Sequence, residues 1–538
     1  MRRSIPLTAL AAPAALALAL PAAARAQNFP QPSGFTVENP VLRRIWAIGM
    51  DSSMLQHYAQ VLFDSLGPRL VASPEMEAAQ NWLVGQYQAL GIDVRKERYG
   101  TWRGWRRGPS HVDLVQPRVR SLEATMLSWS PGTNGRAVRG SVVLLPDFPD
   151  STAFVQWLPQ ARGKFVAISF PQPTCRPDES WQAHATKETY DRMRAQRDTA
   201  QRAWTERVRR TGYPGGLAGA NLARRLDQAG VAGVLTSTWS AGWGVDKVFS
   251  TVTEHVPVFD VMCEDYGLLA RLAANNQGPV ISVTAESQPL GEVPVFNVIG
   301  EMRGTELPNE YVMLSAHFDS WDGGSGATDN GTGTITMLEA MRILKLVYPN
   351  PRRTILVGHW SAEEMGLVGS RAFAADHPEV VQGLQSLFNQ DNGTGRVINM
   401  SSSGLVNASA NLARWLSNIP ADITRNITFG FPGSPAGGGS DNASFICYGA
   451  PSFGIGSENF DYFAYTWHTN RDTYDKISFD DVRNNATLTA MLAYLASEDH
   501  DRVPRDRRDV MPTGRSGVPG TWPTCEQPPR ATPSPVVR

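Results

Sequence analysis

Short apolar runs and helical stripes alternate along the second half of the chain and predict an α/β layer there. Tyr311 to Ala316, Thr354 to Gly358 and Ser386 to Asn389 are compact apolar stretches of the kind that form buried parallel strands. Between them, Ile335, Leu338, Met341 and Leu344 recur at helical spacing on one face. Upstream, residues 51–100 read as a helix, a turn at Gly67-Pro68, a second helix from Met76 to Leu90 and a strand from Ile92 to Arg98. The texture changes across 141–290. Ser141–Leu145, Lys164–Ile168, Val231–Leu235 and Val280–Thr284 are β-branched runs punctuated by Gly and Pro, which predicts a β-rich module. Within it, the charged stretch 186–211 carries Tyr190, Met193, Trp204 and Val208 on one stripe, so it reads as a solvated helix packed on its own module.

At 538 residues the chain is too long for one ordinary core. Its two ends read apart from the rest: residues 1–26 are a leader, and 503–538 are a tail poor in apolar residues and expected to be disordered or draped over the surface. The leader has Arg2-Arg3, an Ala/Leu-rich stretch and the small-x-small site Ala24-Arg25-Ala26. It reads as an export signal, so the mature protein is expected to be periplasmic or secreted. No later segment reaches the roughly 18 uninterrupted apolar residues of a membrane span.

Apolar residues make up 42% and charged residues 19%, with 50 basic against 51 acidic side chains and a formal charge of -1. This balance provides no field for nucleic acid or an anionic membrane, and neither is expected as a partner. The four cysteines, Cys175, Cys263, Cys447 and Cys525, lack metal-cluster spacing. Cys447 reads as a buried thiol. Cys175 and Cys525, both in polar Pro-flanked segments, are the pair expected to form a bridge.

Candidate chemistry gathers at the ends of the apolar runs. His317 and Asp319 follow Ala316, Asp329 lies in a Gly-rich loop, Glu363 and Glu364 follow the run from Thr354, and Asp391 follows that from Ser386. His468 stands in Thr466-Trp467-His468-Thr469. In open α/β sheets, ligands collect at the carboxyl ends of strands. The i, i+2 spacing of His317 and Asp319 lets the acid orient the imidazole. Adjacent Glu363 and Glu364 diverge, so one can ligate a metal while the other faces substrate. Two histidines and three carboxylates form a mixed N/O set that suits zinc, with manganese or cobalt as substitutes, and argues against calcium. A shared carboxylate would hold two ions roughly 3.5–4 Å apart. His359 reads as a packed core histidine. The glycines near 324–333 lack the Lys-Ser/Thr of a phosphate loop.

Five motifs, in order, then carry a resemblance. Ala316-His-Phe-Asp-Ser-Trp-Asp322, Gly326-Ala-Thr-Asp-Asn-Gly331, Trp360-Ser-Ala-Glu-Glu-Met-Gly366, Gly438-Gly-Ser-Asp-Asn-Ala-Ser-Phe445 and His468-Thr-Asn-Arg-Asp-Thr473 resemble the co-catalytic zinc exopeptidases. Ser320-Trp321-Asp322 and Trp102-Arg-Gly104 point to their carboxypeptidase Q (plasma glutamate carboxypeptidase) branch. The resemblance covers roughly residues 45–500 and implies a mixed, mostly parallel sheet flanked by helices, with a protease-associated domain, 116–290, inserted between the first part of the peptidase domain, 40–115, and its catalytic part, 291–502. It implies two zinc ions, one held by His317, Asp329 and Asp391 and the other by Asp329, Glu364 and His468. Glu363 would be the general base and Asp319 would orient His317. It also implies a cis peptide at Asp329-Asn330.

Two departures stand out: Asn442 where many relatives have His, and Trp467 where many have Tyr. They leave the oxyanion-stabilising group open, with Tyr465 as a substitute. The loops from Phe431 to Ser444 and from Asn459 to Tyr465 are expected to line the specificity pocket. The expected reaction is hydrolysis of dipeptides, or removal of residues from the free N-terminus of short peptides. A homodimer is compatible with the sequence. An amidohydrolase acting on non-peptide amides, a glutaminyl cyclase on a single-zinc relative and a non-catalytic peptidase-like binding protein are the competing readings.

Overall fold

The computed structural model describes residues 39–513 and 519–533, so the leader of the sequence reading lies outside the described residues. Its centre is a run of strands buried on both faces. Leu307–His317 pairs in parallel with Arg353–Trp360 on one side and with Leu384–Asn389 on the other. All eight residues of Arg353–Trp360 are buried, which explains why this strand reads as a continuous apolar run rather than an alternation. The register sets His317 opposite Trp360 and Ser315 opposite Asn389. The carboxyl ends of all three strands therefore open onto the same edge of the sheet. Ser452–Ser457 and Val397–Ser401 extend the sheet beyond Leu384–Asn389. Helices Thr332–Val347, Phe479–Glu498 and Pro40–Asp51 pack together on it. Ile335, Leu338, Met341 and Leu344 are all fully buried, as their spacing predicts.

A long antiparallel ribbon joins this sheet to a second layer. Asp93–Gln116 pairs with Val280–Met302 from Asp93 opposite Glu301 to Gln116 opposite Val280. One end of Val280–Met302 also pairs with Arg353–Trp360, and its other end with Val138–Leu144. From there the strands Phe165–Ala167, Gly233–Thr236 and Val258–Val261 continue in parallel, closed by antiparallel Ala124–Met126. This region carries more helix than its β-branched runs announce, with Cys263–Ala274 leading into the antiparallel Val280–Met302 and with Ser151–Ala161 and Ala220–Gln228 as crossovers. Parallel strands require such connections. The charged helix Lys187–Arg210 buries Met193 and Trp204, and the Trp204 indole donates to the Ile168 carbonyl, so it packs on its own layer as read.

Two expectations are corrected. The cysteines pair as Cys175–Cys263 and Cys447–Cys525, not Cys175–Cys525, and Cys447 is not a free thiol. Flanking composition could not reveal this, because pairing depends on which Cα atoms the fold brings within bridging distance, here 5.9 and 5.2 Å. The described part of the tail is fastened to the surface. Besides the Cys525 bridge, the Trp522 indole donates to the Ile446 and Cys447 carbonyls, and Arg530 pairs with Asp376. No helix among the described residues is long and apolar enough to cross a membrane.

Candidate metal centre

The strand ends deliver two groups of ligand-type side chains that share Asp329. Ligand-type atoms of His317, Asp329 and Asp391 lie within 4.8 Å of one another, and so do those of Asp329, Glu364 and His468. His317 ends its strand with its Nδ1 3.0 Å from the Asp319 carbonyl. Donation to that oxygen fixes the tautomer of the neutral ring, in which Nε2 carries the lone pair a metal would take. Nε2 faces Asp391 at 3.2 Å, Asp329 at 3.4 Å and Glu363 at 4.0 Å. The Asp319 carboxylate stands 3.7 Å from Nδ1 and accepts the amides of Glu363 and Glu364. It thus ties the first strand end to the turn that bears both glutamates.

Asp329 sits in the turn Ala327–Gly331, and its peptide to Asn330 is cis. Asp472 holds this turn by accepting the amides of Thr328 and Asp329 at 2.7 and 3.0 Å. Gly331 is required here, since a Cβ would lie 2.2 Å from the Phe63 ring. Glu363 and Glu364 diverge. Glu364 reaches 2.9 Å from His468 Nε2, whereas Glu363 stands free over the cavity, 12% exposed.

The electrostatics are those of a site built around cations. Burial raises Glu363 well above the usual carboxylate range and lifts Glu364 to about 7. Burial would lower His317, but the carboxylates of Asp391 and Glu363 outweigh it and hold the imidazole well above its ordinary value. His468 rises to about 10 because Glu364 and Asp329 outweigh its burial. Burial likewise opposes ionisation of Asp329, yet His317 and His468 hold its carboxyl below the usual range. Glu364 Oε1 and both oxygens of Asp441 are buried with no hydrogen-bond donor, and Asp329 Oδ2 meets only His468 Nε2, 3.2 Å away and outside hydrogen-bond geometry. Buried, unpaired carboxylate oxygens are costly unless a proton or a metal ion meets them. The donor set and these orphaned oxygens fit divalent cations with borderline N/O preference.

Four neighbours were not singled out individually from sequence. Asp441 and Asp472 lie inside quoted motifs, and burial lifts each to about 7. Arg69 is fully buried beneath the site, donating to the carbonyls of Phe318, Ser325 and Gly326 at 2.6, 2.8 and 2.8 Å. Its turn, Gly67-Pro-Arg69, carries no periodic signal. The fourth corrects an expectation: Tyr462, not Tyr465, lines the cavity. The π-helical turn Tyr462–Thr466 sends the first tyrosine inward, while Tyr465 packs toward Gly242.

The cavity holds about 580 Å³. Asp329, Glu363, Glu364, Asp391 and His468 form its floor, with Gly438, Asn459, Phe463 and Arg371 in its walls, so both loops expected to line it do so. Phe445 instead lies in the core beside Trp360. His359 is a core histidine, hydrogen-bonded to the Tyr87 hydroxyl at 2.6 Å and lowered by burial to about 3.

Residues 297–493, which carry every ligand-type side chain above, match the profile of Peptidase family M28. Over this stretch the chain is similar to the M28 peptidases. Carboxypeptidase Q of Homo sapiens is 24% identical over 446 residues, covering 83% of this chain and 85% of its own. Leucine aminopeptidase 1 of Coccidioides posadasii is 31% identical over 218 residues, or 37% of this chain and 55% of its own. Among solved structures, a peptidase M28 precursor from Shewanella amazonensis aligns with TM-score 0.63 at 22% identity, over 86% of this chain and 97% of that one. The zinc aminopeptidase BSAP of Bacillus subtilis aligns at 0.54 and 17%, over 84% and 96%. The fold is therefore that of the M28 aminopeptidases, and the chain is a metal-dependent peptidase.

Proposed function

We propose that the protein is an exported two-zinc exopeptidase that hydrolyses dipeptides or acts at the free N-terminus of short peptides. The carrying observation is the pair of three-ligand groups sharing Asp329, with Glu363 left unligated above them. His317, Asp329 and Asp391 would hold one ion and Asp329, Glu364 and His468 the other. Bound there, the ions would supply Lewis acidity, polarising the scissile carbonyl and easing deprotonation of a water. Glu363 takes the proton of the attacking water and returns it to the leaving amine nitrogen, a role that its raised affinity for protons suits. Asp319 fixes the backbone beneath Glu363. Tyr462 brings a hydroxyl-bearing ring to the cavity wall, where an oxyanion would need a donor.

Arg371 supports the short-substrate reading. It sets a guanidinium in a wall otherwise crowded with carboxylates, and its present partners are the Gly366 carbonyl and Glu526 of the tail, 2.7 Å away. A dipeptide carboxylate can exchange with Glu526. Export is supported by two disulfides, which persist in oxidising compartments. Residues 116–290 are proposed as a module inserted between the two halves, 40–115 and 291–502, of the peptidase domain.

The test is hydrolysis of a free dipeptide, its N-acetyl form and its C-terminal amide by the zinc-loaded protein. Cleavage that needs the free amine supports the proposal. Preference for N-acylated substrates would move the reading to an amidohydrolase, and inertness toward all three to a binding protein.

A further inference from the structure

The loop that carries His468 is gripped from the second layer rather than from its own. Residues 244–249 lie against 468–471 in a short antiparallel pairing, with Lys247 bridged to Thr469. The Val248 amide donates to the His468 carbonyl at 2.8 Å. The Asp246 amide donates to Asn470 Oδ1 and the Asn470 amide to the Asp246 carbonyl, both at 3.1 Å. Gly323 lets Val248 come this close, since a Cβ there would lie 2.6 Å from the valine. His468 itself adopts φ 59°, a left-handed conformation that a non-glycine residue holds only when its surroundings over-determine it.

At the centre of this grip is Lys247. Its ammonium donates to the carbonyls of Phe463 and Trp467 at 3.0 and 2.8 Å, closing the end of the Tyr462–Thr466 turn. It also stands 4.2 Å from the centre of the Trp467 ring. Trp467 in turn stacks on the His468 imidazole, with ring centres 3.8 Å apart and planes 25° from parallel. Phe249, two residues on, meets that imidazole edge-on at 5.4 Å. One short segment of the second layer thus fixes the backbone, one flank and the stacking partner of the same histidine.

We propose that residues 244–249 are a working support behind the reaction site and that Lys247 is a positioning residue, which aims the His468 imidazole through Trp467. This rests on the reading of His468 as a ligand. Lys247 is not among the residues that line the cavity. Its ammonium satisfies two carbonyls that a π-helical turn leaves without donors, and its charge draws the indole into the stack. The inserted layer is thereby given a part in catalysis.

The test compares wild type, Lys247→Met and Lys247→Arg by zinc titration of the metal-free proteins and by steady-state kinetics on a free dipeptide. Lys247→Met is expected to bind its weaker zinc equivalent about tenfold less tightly or worse, with kcat reduced similarly and KM changed less than about threefold. Lys247→Arg, which keeps donors and charge, should restore most of both. If Lys247→Met does not fold, Lys247→Gln is read the same way. A Met or Gln variant that only melts earlier, while titrating both equivalents and turning over like wild type, would overturn the proposal. A wild type that takes up no zinc would overturn the functional reading first, and this inference with it.

Discussion

Removal of the Arg69 guanidinium should reach both the fold and the site. Its side chain is wholly buried, and three of its hydrogen bonds go to the carbonyls of Phe318, Ser325 and Gly326, backbone of the two loops that bear Asp319 and Asp329. Burial lowers it only to about 10, because Asp472, Asp319, Asp329 and Glu364 favour its charge, so it stays cationic at neutral pH. Arg69→Met leaves three buried carbonyls without that donor, at about 1–3 kcal/mol each. It also strips the counter-charge from buried carboxylates, about 3–5 kcal/mol for breaking such a pair. The two figures describe the same lost contacts and overlap, so about 4 kcal/mol is expected in total. Against a total stability of about 5–15 kcal/mol, the variant should still fold. The assay is chemical denaturation followed by tryptophan fluorescence, in chelator and in zinc. The deficit should be largest without metal and should shrink with zinc, because a more negative site holds cations more tightly and ligand binding stabilises the native state. A deficit below about 1 kcal/mol in chelator, or one that widens with zinc, would refute the reasoning.

The other expectations are simpler. Glu363→Gln should lower kcat by about 10²–10⁴-fold while zinc content stays at the wild-type level, which metal analysis beside the kinetics would check. Arg371→Gln should raise KM for a free dipeptide about tenfold, the worth of a charge-assisted hydrogen bond, and leave the dipeptide amide nearly unchanged. His377 is held above its ordinary value by its hydrogen bond to Glu97 at 2.7 Å; burial opposes ionisation of Glu97, but His377 outweighs it and holds that carboxyl low. The histidine's share is present below its unfolded value near 6.5 and is lost as pH rises through its raised folded value. The glutamate's share is lost as pH falls through its depressed one. His377→Gln should therefore cost about 1 kcal/mol near pH 5.5 and little at pH 9, read from denaturation midpoints at the two pH values.

The parallel strands were legible because burial on both faces writes them as uninterrupted apolar runs, and Leu307–His317, Arg353–Trp360 and Leu384–Asn389 contain the three expected stretches. The ribbon Asp93–Gln116 was seen only at its first residues, since its exposed and charged positions interrupt any apolar period. The ligand-type residues were legible because their chemistry is local to motifs at strand ends. What supports them was not. Arg69 reaches the site across 249 residues of sequence to Phe318, and Lys247 across 220 to Trp467, so neither leaves a pattern in its own neighbourhood. The choice of Tyr462 over Tyr465 turns on a π-helical step that residue types do not announce.

The most direct test of the account is zinc titration of the metal-free protein and of Asp329→Asn, because Asp329 belongs to both ligand groups. The account predicts two tight equivalents in the wild type and the loss of both in the variant. A wild type that binds one equivalent or none, or an Asp329→Asn protein that still binds two, would contradict it.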